Sequence, residues 1–324
     1  MATRVILHRT GGPEVLETES YDPGKPAAGE VLIRQAAIGL NFIDCYFRSG
    51  LYPTALPYTP GFEASGVIEA VGEGVADLQV GQRIAYGTGP AGAYTDLRVM
   101  PAASLVPVPD SIPDDQACAM MLKGMTAQYL LRRTFRVQAG QTILIHAAAG
   151  GVGLLVCQWA RHLGATVIGT VSSDEKAALA KAHGCDHPIV YTRDDFVAAV
   201  KELTGGKGVD VVYDSVGKDT FMKSLDCLKR LGMMVTFGQS SGKIEPFDTA
   251  LLAQKGSLFL TRPTLFSYVS TRDELLATAN DLIEVVASGA VKVEIDQTYK
   301  LADVAQAHRD LESRKTTGCT ILTP

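Results

Sequence analysis

At 324 residues the chain is longer than one hydrophobic core usually organises, so about two domains are expected. Hydrophobic residues make up 46% and charged residues 20%, ample for buried cores, yet no apolar run approaches the roughly 20 residues that span a bilayer. The formal net charge is -5, and Lys and Arg are scattered without a basic block, which argues against a dedicated nucleic-acid or anionic-membrane surface.

The opening MATRVILHRT breaks its apolar burst at His8 and Arg9, so it reads as a first strand of a cytoplasmic chain and not as a signal peptide. From Val5 to about Ala119, short β-rich pieces such as VLIRQAAIGL, GVIEAVG, QRIAYGT and AYTDLRVM alternate with Gly and Pro. Turn signals every ten or so residues predict an all-β barrel or sandwich. Within PGFEASGVIEAVGEGV (60–75), the four glycines read as bulges and sharp turns.

After about Lys123 the rhythm changes. QTILIHAA is an apolar strand, and GVGLLVCQWARHLG sets Val152, Leu155, Val156, Trp159 and Leu163 at helical spacing. TVIGTVS, HPIVY, GVDVVYDSVG, GMMVTFG and GSLFLTR follow as strands, with helices predicted over DEKAALAKAHG, DDFVAAVKELTGG and KDTFMKSLDCLKRLG. Six short, apolar-rich strands alternating with helices predict a doubly wound α/β domain with a parallel sheet of dinucleotide-binding type. Beyond about Pro263, a helix (ELLATANDLIEVVASG), a strand (VKVEIDQTYKL), a second helix around 304–313 and a closing strand (GCTILTP) have no place in a completed parallel sheet. They are expected to return to the β-rich domain, giving domains of 1–122 with 263–324, and 123–262.

The six cysteines lie far apart, with no Cys-x-x-Cys and no tight pairing with histidine, so neither a zinc knuckle nor a disulfide framework is predicted.

In HAAAGGVGLL (146–155), Ala148, Gly150 and Gly153 occupy the small-residue places of a G-x-G-x-x-G fingerprint between a strand and a helix. Backbone N–H groups and the positive helix end can then face a pyrophosphate. Some 20 residues on, where an NAD-selective site places an acid on the ribose, the chain reads Thr170, Val171, Ser172, Ser173. Lys176 is the first long charged side chain able to reach back, and Tyr191 can flank the adenosine phosphate, so NADPH is predicted over NADH.

These features together resemble the medium-chain dehydrogenase/reductase superfamily. Within it, NFIDCYFRSGLYP (41–53), LKGMTAQYLL (122–131), HAAAGGVGLLVCQWA (146–160), VVYDSVG (211–217) and LESRKTTG (311–318) are similar to bacterial NADPH:quinone oxidoreductases related to zeta-crystallin. The resemblance implies a GroES-like β-barrel catalytic domain joined to a Rossmann domain. Zinc alcohol dehydrogenases of the superfamily carry Gly-His-Glu where this chain has Gly61-Phe62-Glu63, and a cysteine near Asn41, so the resemblance implies a zinc-free site. It further implies that Asn41 and the loop through Tyr46 lie near the nicotinamide, with Tyr52 in the acceptor pocket as a hydrogen-bond or proton donor. Thr126 is expected to touch the cofactor, and Gly150, Gly151, Val152 and Gly153 to hold the pyrophosphate. Ser172, Lys176 and Tyr191 would hold the adenosine phosphate, and Ser215, Phe237, Gln239, Leu265 and Arg314 would line the rest.

The implied activity is metal-free hydride or electron transfer from NADPH to quinones. Reduction of the double bond of 2-alkenals or enones needs the same geometry and stays open. A reading of another class is a non-catalytic NADPH-binding crystallin-like or RNA-binding protein, against which the lack of a basic patch counts. GSLFLTR (256–262) is the expected sheet edge, and with the resemblance it points to a homodimer.

Overall fold

The computed structural model describes residues 1–324, which form two compact units: Met1–Met125 with Val269–Ala287 and Val293–Pro324, and Thr126–Tyr268 with Ser288–Lys292. No helix is long and apolar enough to cross a membrane. All six cysteines are buried, and none forms a disulfide.

The first unit is built on a seven-stranded sheet. Its order runs Ile295–Lys300, Cys319–Thr323, Glu30–Leu40, Ala64–Val71, Arg83–Tyr86, Val106–Pro107, with Leu97–Pro101 also paired to Glu30–Leu40. The C-terminal strands therefore do join those of the N-terminal half. Glu30–Leu40 shows why the segment is a strand: Val31 and Ile33 point into the core while Arg34 points out, the period of two that a half-buried strand requires. Gly66 marks a kink where the register against Glu30–Leu40 shifts. A Cβ there would lie 2.1 Å from the Arg34 carbonyl oxygen, so only glycine admits that approach.

Two helices that begin in this unit are not assigned by the sequence pattern. Residues 41–49, expected as a loop through Tyr46, form the helix Phe42–Ser49. Asn41 is its N-cap, the Asp44 carboxylate accepts the Asn41 N–H at 2.9 Å, and Gly50 closes it with φ 80°. The longer helix Asp114–Tyr129 begins with two acids in its first turn, which suits the positive helix end.

The second unit is a six-stranded sheet, parallel throughout, in the order His187–Val190, Thr166–Val171, Thr142–His146, Val209–Asp214, Leu228–Thr236, Phe259–Thr261. In chain order this is 3-2-1-4-5-6, the doubly wound arrangement whose ligand crevice opens at the carboxyl ends of strands 1 and 4. Val209–Asp214 is buried at every residue, as a strand covered on both faces must be.

The helix expected over 218–232 is much shorter, Phe221–Leu225, and the next strand already starts at Leu228. The neighbouring strand claims that backbone: Val209 N–H donates to the Cys227 carbonyl at 2.8 Å. Leu231 then turns with φ 62°. Ladder pairing has overridden a helical pattern of side chains. The edge strand is likewise shorter than 256–262, spanning Phe259–Thr261.

Candidate active site

In the second unit the expected cofactor residues gather along the carboxyl edge of the sheet. After Thr142–His146, Ala147 takes a left-handed conformation with φ 55°, rare for a residue bearing a Cβ. Its carbonyl accepts the Gly150 N–H at 2.9 Å, folding the turn back so that Gly150 caps the helix Gly151–His162. A Cβ on Gly153 would stand 2.2 Å from the Ala147 oxygen, so glycine is required for the helix to sit against the turn. The first N–H groups of this helix have no partner inside it and carry the positive end of the dipole. The helix start thus presents the N–H groups of Gly151, Val152 and Gly153 as donors, which fits a pyrophosphate.

One strand over, Ser173 caps the helix Asp174–Ala182, its Oγ accepting the Lys176 N–H at 3.3 Å. Tyr191 N–H donates to the Val171 carbonyl at 3.0 Å, and Thr192 Oγ1 to the Ser172 carbonyl at 3.1 Å. Ser172, Lys176 and Tyr191 are therefore neighbours, with no acid at the end of the strand Thr166–Val171.

Across the switch point, buried Asp214 sets the turn that bears Ser215. Its Oδ1 accepts the N–H groups of Val216 at 2.7 Å and Gly217 at 3.0 Å, as well as the Thr220 hydroxyl at 2.9 Å. A second suture ties this turn to Phe237 and Gln239: Phe237 N–H donates to Asp214 O at 2.8 Å and Ser240 N–H to Ser215 O at 3.1 Å. Thr126 and Leu265 sit near the ends of two helices joined by the stacked rings of Tyr129 and Tyr268, 4.5 Å apart and 14° from parallel. Asp214 was not singled out in the sequence, although an Asp closing an apolar strand before Ser-x-Gly is a turn signal.

The remaining candidates, Asn41, Tyr46, Tyr52 and Arg314, belong to the first unit. Tyr46 and Tyr52 pack with ring centroids 5.2 Å apart, and Tyr52 N–H donates to the Tyr46 carbonyl at 3.0 Å. Arg314 lies just past the helix Val304–Glu312 with a left-handed φ of 60°.

Beneath Asn41 lies a polar centre that sequence reading missed. Glu63 is fully buried, and its carboxylate accepts from Asn41 Nδ2 at 2.8 Å, from the Leu122 N–H at 2.6 Å and from Lys123 Nζ at 2.8 Å. Burial alone would lower the Lys123 pKa, but the adjoining Glu63 carboxylate outweighs it and holds the ammonium charged. Next to it, Tyr94 OH donates to Asp44 Oδ2 at 3.0 Å and lies 3.0 Å from His308 Nε2. Arg48 Nη1 reaches His308 Nδ1 at 3.3 Å and pairs with Glu312 through both guanidinium nitrogens at 2.9 and 2.6 Å. Burial, chiefly, pushes the Asp44 carboxyl up to about 7, against the lowering effect of the Asn41 N–H and Tyr94 OH. Burial and then the Arg48 charge pull His308 down to about 3, so the ring is neutral; the guanidinium, a donor only, faces Nδ1, which leaves the proton to Nε2 on the Tyr94 side.

Two family models match the chain: "Alcohol dehydrogenase GroES-like domain" over residues 27–110 and "Zinc-binding dehydrogenase" over 151–284. Their pairing, with a 3-2-1-4-5-6 sheet and a glycine turn at its switch point, defines a nucleotide-dependent dehydrogenase or reductase of the medium-chain class. A quinone oxidoreductase of Pseudomonas aeruginosa is 52% identical with full coverage of both chains. A 2-haloacrylate reductase of Burkholderia is 46% identical, covering 100% of this chain and 99% of its own. The crystal structure of Escherichia coli quinone oxidoreductase complexed with NADPH superposes with a TM-score of 0.98 at 47% identity, over 99% of this chain and all of that one. The protein belongs to the quinone oxidoreductase family of the medium-chain dehydrogenase/reductase superfamily.

The zinc in the second model's description does not fit the residues here. Phe62 and Asn41 stand where imidazole and thiolate would be needed, and the Glu63 carboxylate is engaged by an ammonium and two N–H donors. No group of three or more His, Cys, Asp or Glu side chains is placed to hold a metal ion.

Proposed function

We propose that the protein is an NADPH-dependent quinone reductase that transfers hydride without a metal ion. One observation carries this reading: the start of the helix Gly151–His162 offers N–H groups unpaired within the helix to a pyrophosphate, while the strand Thr166–Val171 is followed by Ser172 and Ser173, with Lys176 in the first turn of the next helix. An acid at that strand end would repel a 2′-phosphate; a hydroxyl and an ammonium attract it.

Bound there, NADPH supplies a hydride to an electron-poor acceptor. The protein's share is orientation and exclusion of water. Gly150, Gly151, Val152 and Gly153 hold the pyrophosphate, and Ser172, Lys176 and Tyr191 the adenosine phosphate. Thr126, Ser215, Phe237, Gln239, Leu265, Arg314 and Asn41 line the rest of the cofactor. Asn41 is well suited to a fixed contact, because Glu63 and Lys123 lock its amide. Tyr46 and Tyr52 line the acceptor side, with Tyr52 or water giving the proton. The domains of this reading are a catalytic unit of 1–122 with 263–324 and an NADPH-binding unit of 123–262. A cytoplasmic homodimer completes it, paired along 256–262, where Phe259 and Leu260 are 56% and 36% exposed on the sheet edge.

The 46% identity to a 2-haloacrylate reductase favours conjugated carbon–carbon double bonds as a second acceptor class. Initial rates of NADPH and NADH consumption with a naphthoquinone, a benzoquinone and an alkenal test the reading. Quinones are expected to be reduced fastest, with NADPH preferred. Lys176→Ala should narrow that preference by about tenfold, the worth of one charge-assisted contact. A preference unmoved by Lys176→Ala would refute the phosphate assignment, and turnover of the alkenal alone would put the double-bond reductase in place of the quinone reductase.

A further inference from the structure

The edge strand carries a residue that reaches back into the cofactor edge. The parallel ladder between Leu228–Thr236 and Phe259–Thr261 ends at the pair Val235 and Thr261. The next residue on the edge side, Arg262, continues the pairing with its side chain. Its Nη1 donates to the Gly238 carbonyl at 2.8 Å and to Thr236 Oγ1 at 3.1 Å, with the Thr236 carbonyl at 3.4 Å. These acceptors flank Phe237 on both sides.

The turn is held from the opposite side as well. Gly238 packs so closely on the Ser215 backbone that a Cβ would meet the Ser215 oxygen at 2.6 Å, and Phe237 N–H is bound to Asp214 O at 2.8 Å. The 237–239 turn is therefore clamped between the strand Val209–Asp214 and one guanidinium. A charged donor on backbone carbonyls is roughly twice as strong as a neutral one. In a doubly wound sheet the two mononucleotide halves sit on either side of the switch point, and Leu228–Thr236 lies on the half opposite Thr166–Val171. The adenosine end belongs to the Ser172–Lys176 side, so the 237–239 turn faces the nicotinamide end.

The geometry points to Arg262 as a positioning residue for the nicotinamide half of the cofactor site: it acts through the 237–239 turn and leaves the adenosine half untouched. This rests on the NADPH reading above. It predicts a split that a general structural role would not produce. A fragment holding only the adenosine half, 2′,5′-ADP, should ignore Arg262, whereas NADPH should depend on it.

Calorimetric titrations of the full-length protein with 2′,5′-ADP and with NADPH, together with the emission of bound NADPH and steady-state rates, test the split. In Arg262→Met, 2′,5′-ADP affinity is expected to stay within about twofold of the parent. NADPH affinity should fall by about tenfold, the worth of a charge-assisted hydrogen bond, with lowered kcat and altered emission of the bound nicotinamide. Arg262→Lys, which keeps the charge and can still reach Gly238 O, should recover part of the loss. Unchanged NADPH affinity and emission in Arg262→Met would overturn the assignment. So would an equal loss of both ligands in Arg262→Met and Arg262→Lys, which would mark a merely structural residue. A parent protein that binds neither ligand would instead remove the nucleotide reading, and the role of Arg262 with it.

Discussion

The cofactor turn and the polar centre beneath Asn41 solve opposite problems. The turn, Ala147–Gly153, is seven consecutive residues whose work is done by backbone amides and by the absence of side chains. The polar centre draws Asn41, Glu63 and Lys123 from three distant places, with Asp44, Tyr94 and His308 beside them, and does its work by charge inside a buried core. Sites made of backbone tolerate little added volume. Sites made of buried charge tolerate little loss of a partner. Perturbing each in turn sharpens that contrast.

The largest effect is expected at Lys123. Replacing it with Met leaves the Glu63 carboxylate buried with two neutral donors, and breaking a buried ion pair by removing one partner typically costs about 3–5 kcal/mol. The double variant Glu63→Gln/Lys123→Met removes both charges and should recover part of that loss. Urea unfolding of the parent, the two single variants and the double variant gives the coupling directly. Additive losses would mean that the pair contributes no interaction of its own.

A second, pH-dependent effect belongs to Asp44. Its carboxyl is raised from an ordinary 3.8 to about 7, so between those values the folded protein keeps a proton that the unfolded chain has released. The sign follows from linkage: the stability contributed by the protonated group is fully present below about pH 3.8 and is lost as pH rises through about 7. Each tenfold change in proton affinity corresponds to about 1.4 kcal/mol, so the whole window is worth roughly 4 kcal/mol. Asp44→Asn keeps an acceptor for the Asn41 N–H and Tyr94 OH but cannot ionise, and should flatten stability between pH 4 and 8. Equal slopes for variant and parent in that range would show that another group titrates there.

The same contrast explains what could be read from the chain. The cofactor turn was legible because strand, glycines and helix are contiguous, and the parallel sheet because its strands centre on short apolar runs, as in Ile143–Ile145 and Val211–Tyr213. The Glu63–Lys123 pair was not, since 60 residues separate the partners and the motifs that contain them, Gly61-Phe62-Glu63 and 122–131, say nothing of their pairing with each other. Asp44, Tyr94 and His308 were illegible for the same reason, since 50 positions separate the first two and 214 the last two. The helix Phe42–Ser49 could have been found, because Asn41 with Asp44 three residues on is a cap signature. The overlong helix across 218–232 could not be corrected locally: its side-chain period is helical, and only the partner strand decides the backbone of Cys227.

The smallest of these effects is expected in the turn itself. Gly153→Ala adds one carbon, but that carbon meets the Ala147 oxygen at 2.2 Å and the Ala148 backbone at 2.7 Å, and backbone cannot rotate away as a side chain would. The helix Gly151–His162 must back off, at an expected cost of about 1–3 kcal/mol in stability. Alanine is the better helix former by up to about 1 kcal/mol, which opposes the loss. Stability should therefore change less here than at Lys123, while the amide donors move away from the pyrophosphate by the same displacement. Nucleotide affinity, measured by titration with NADPH, should fall more than the melting temperature suggests. A Gly153→Ala protein that binds NADPH as the parent does would show that the helix can yield without disturbing the cradle, and the claim that a backbone-built site tolerates no added volume would fail.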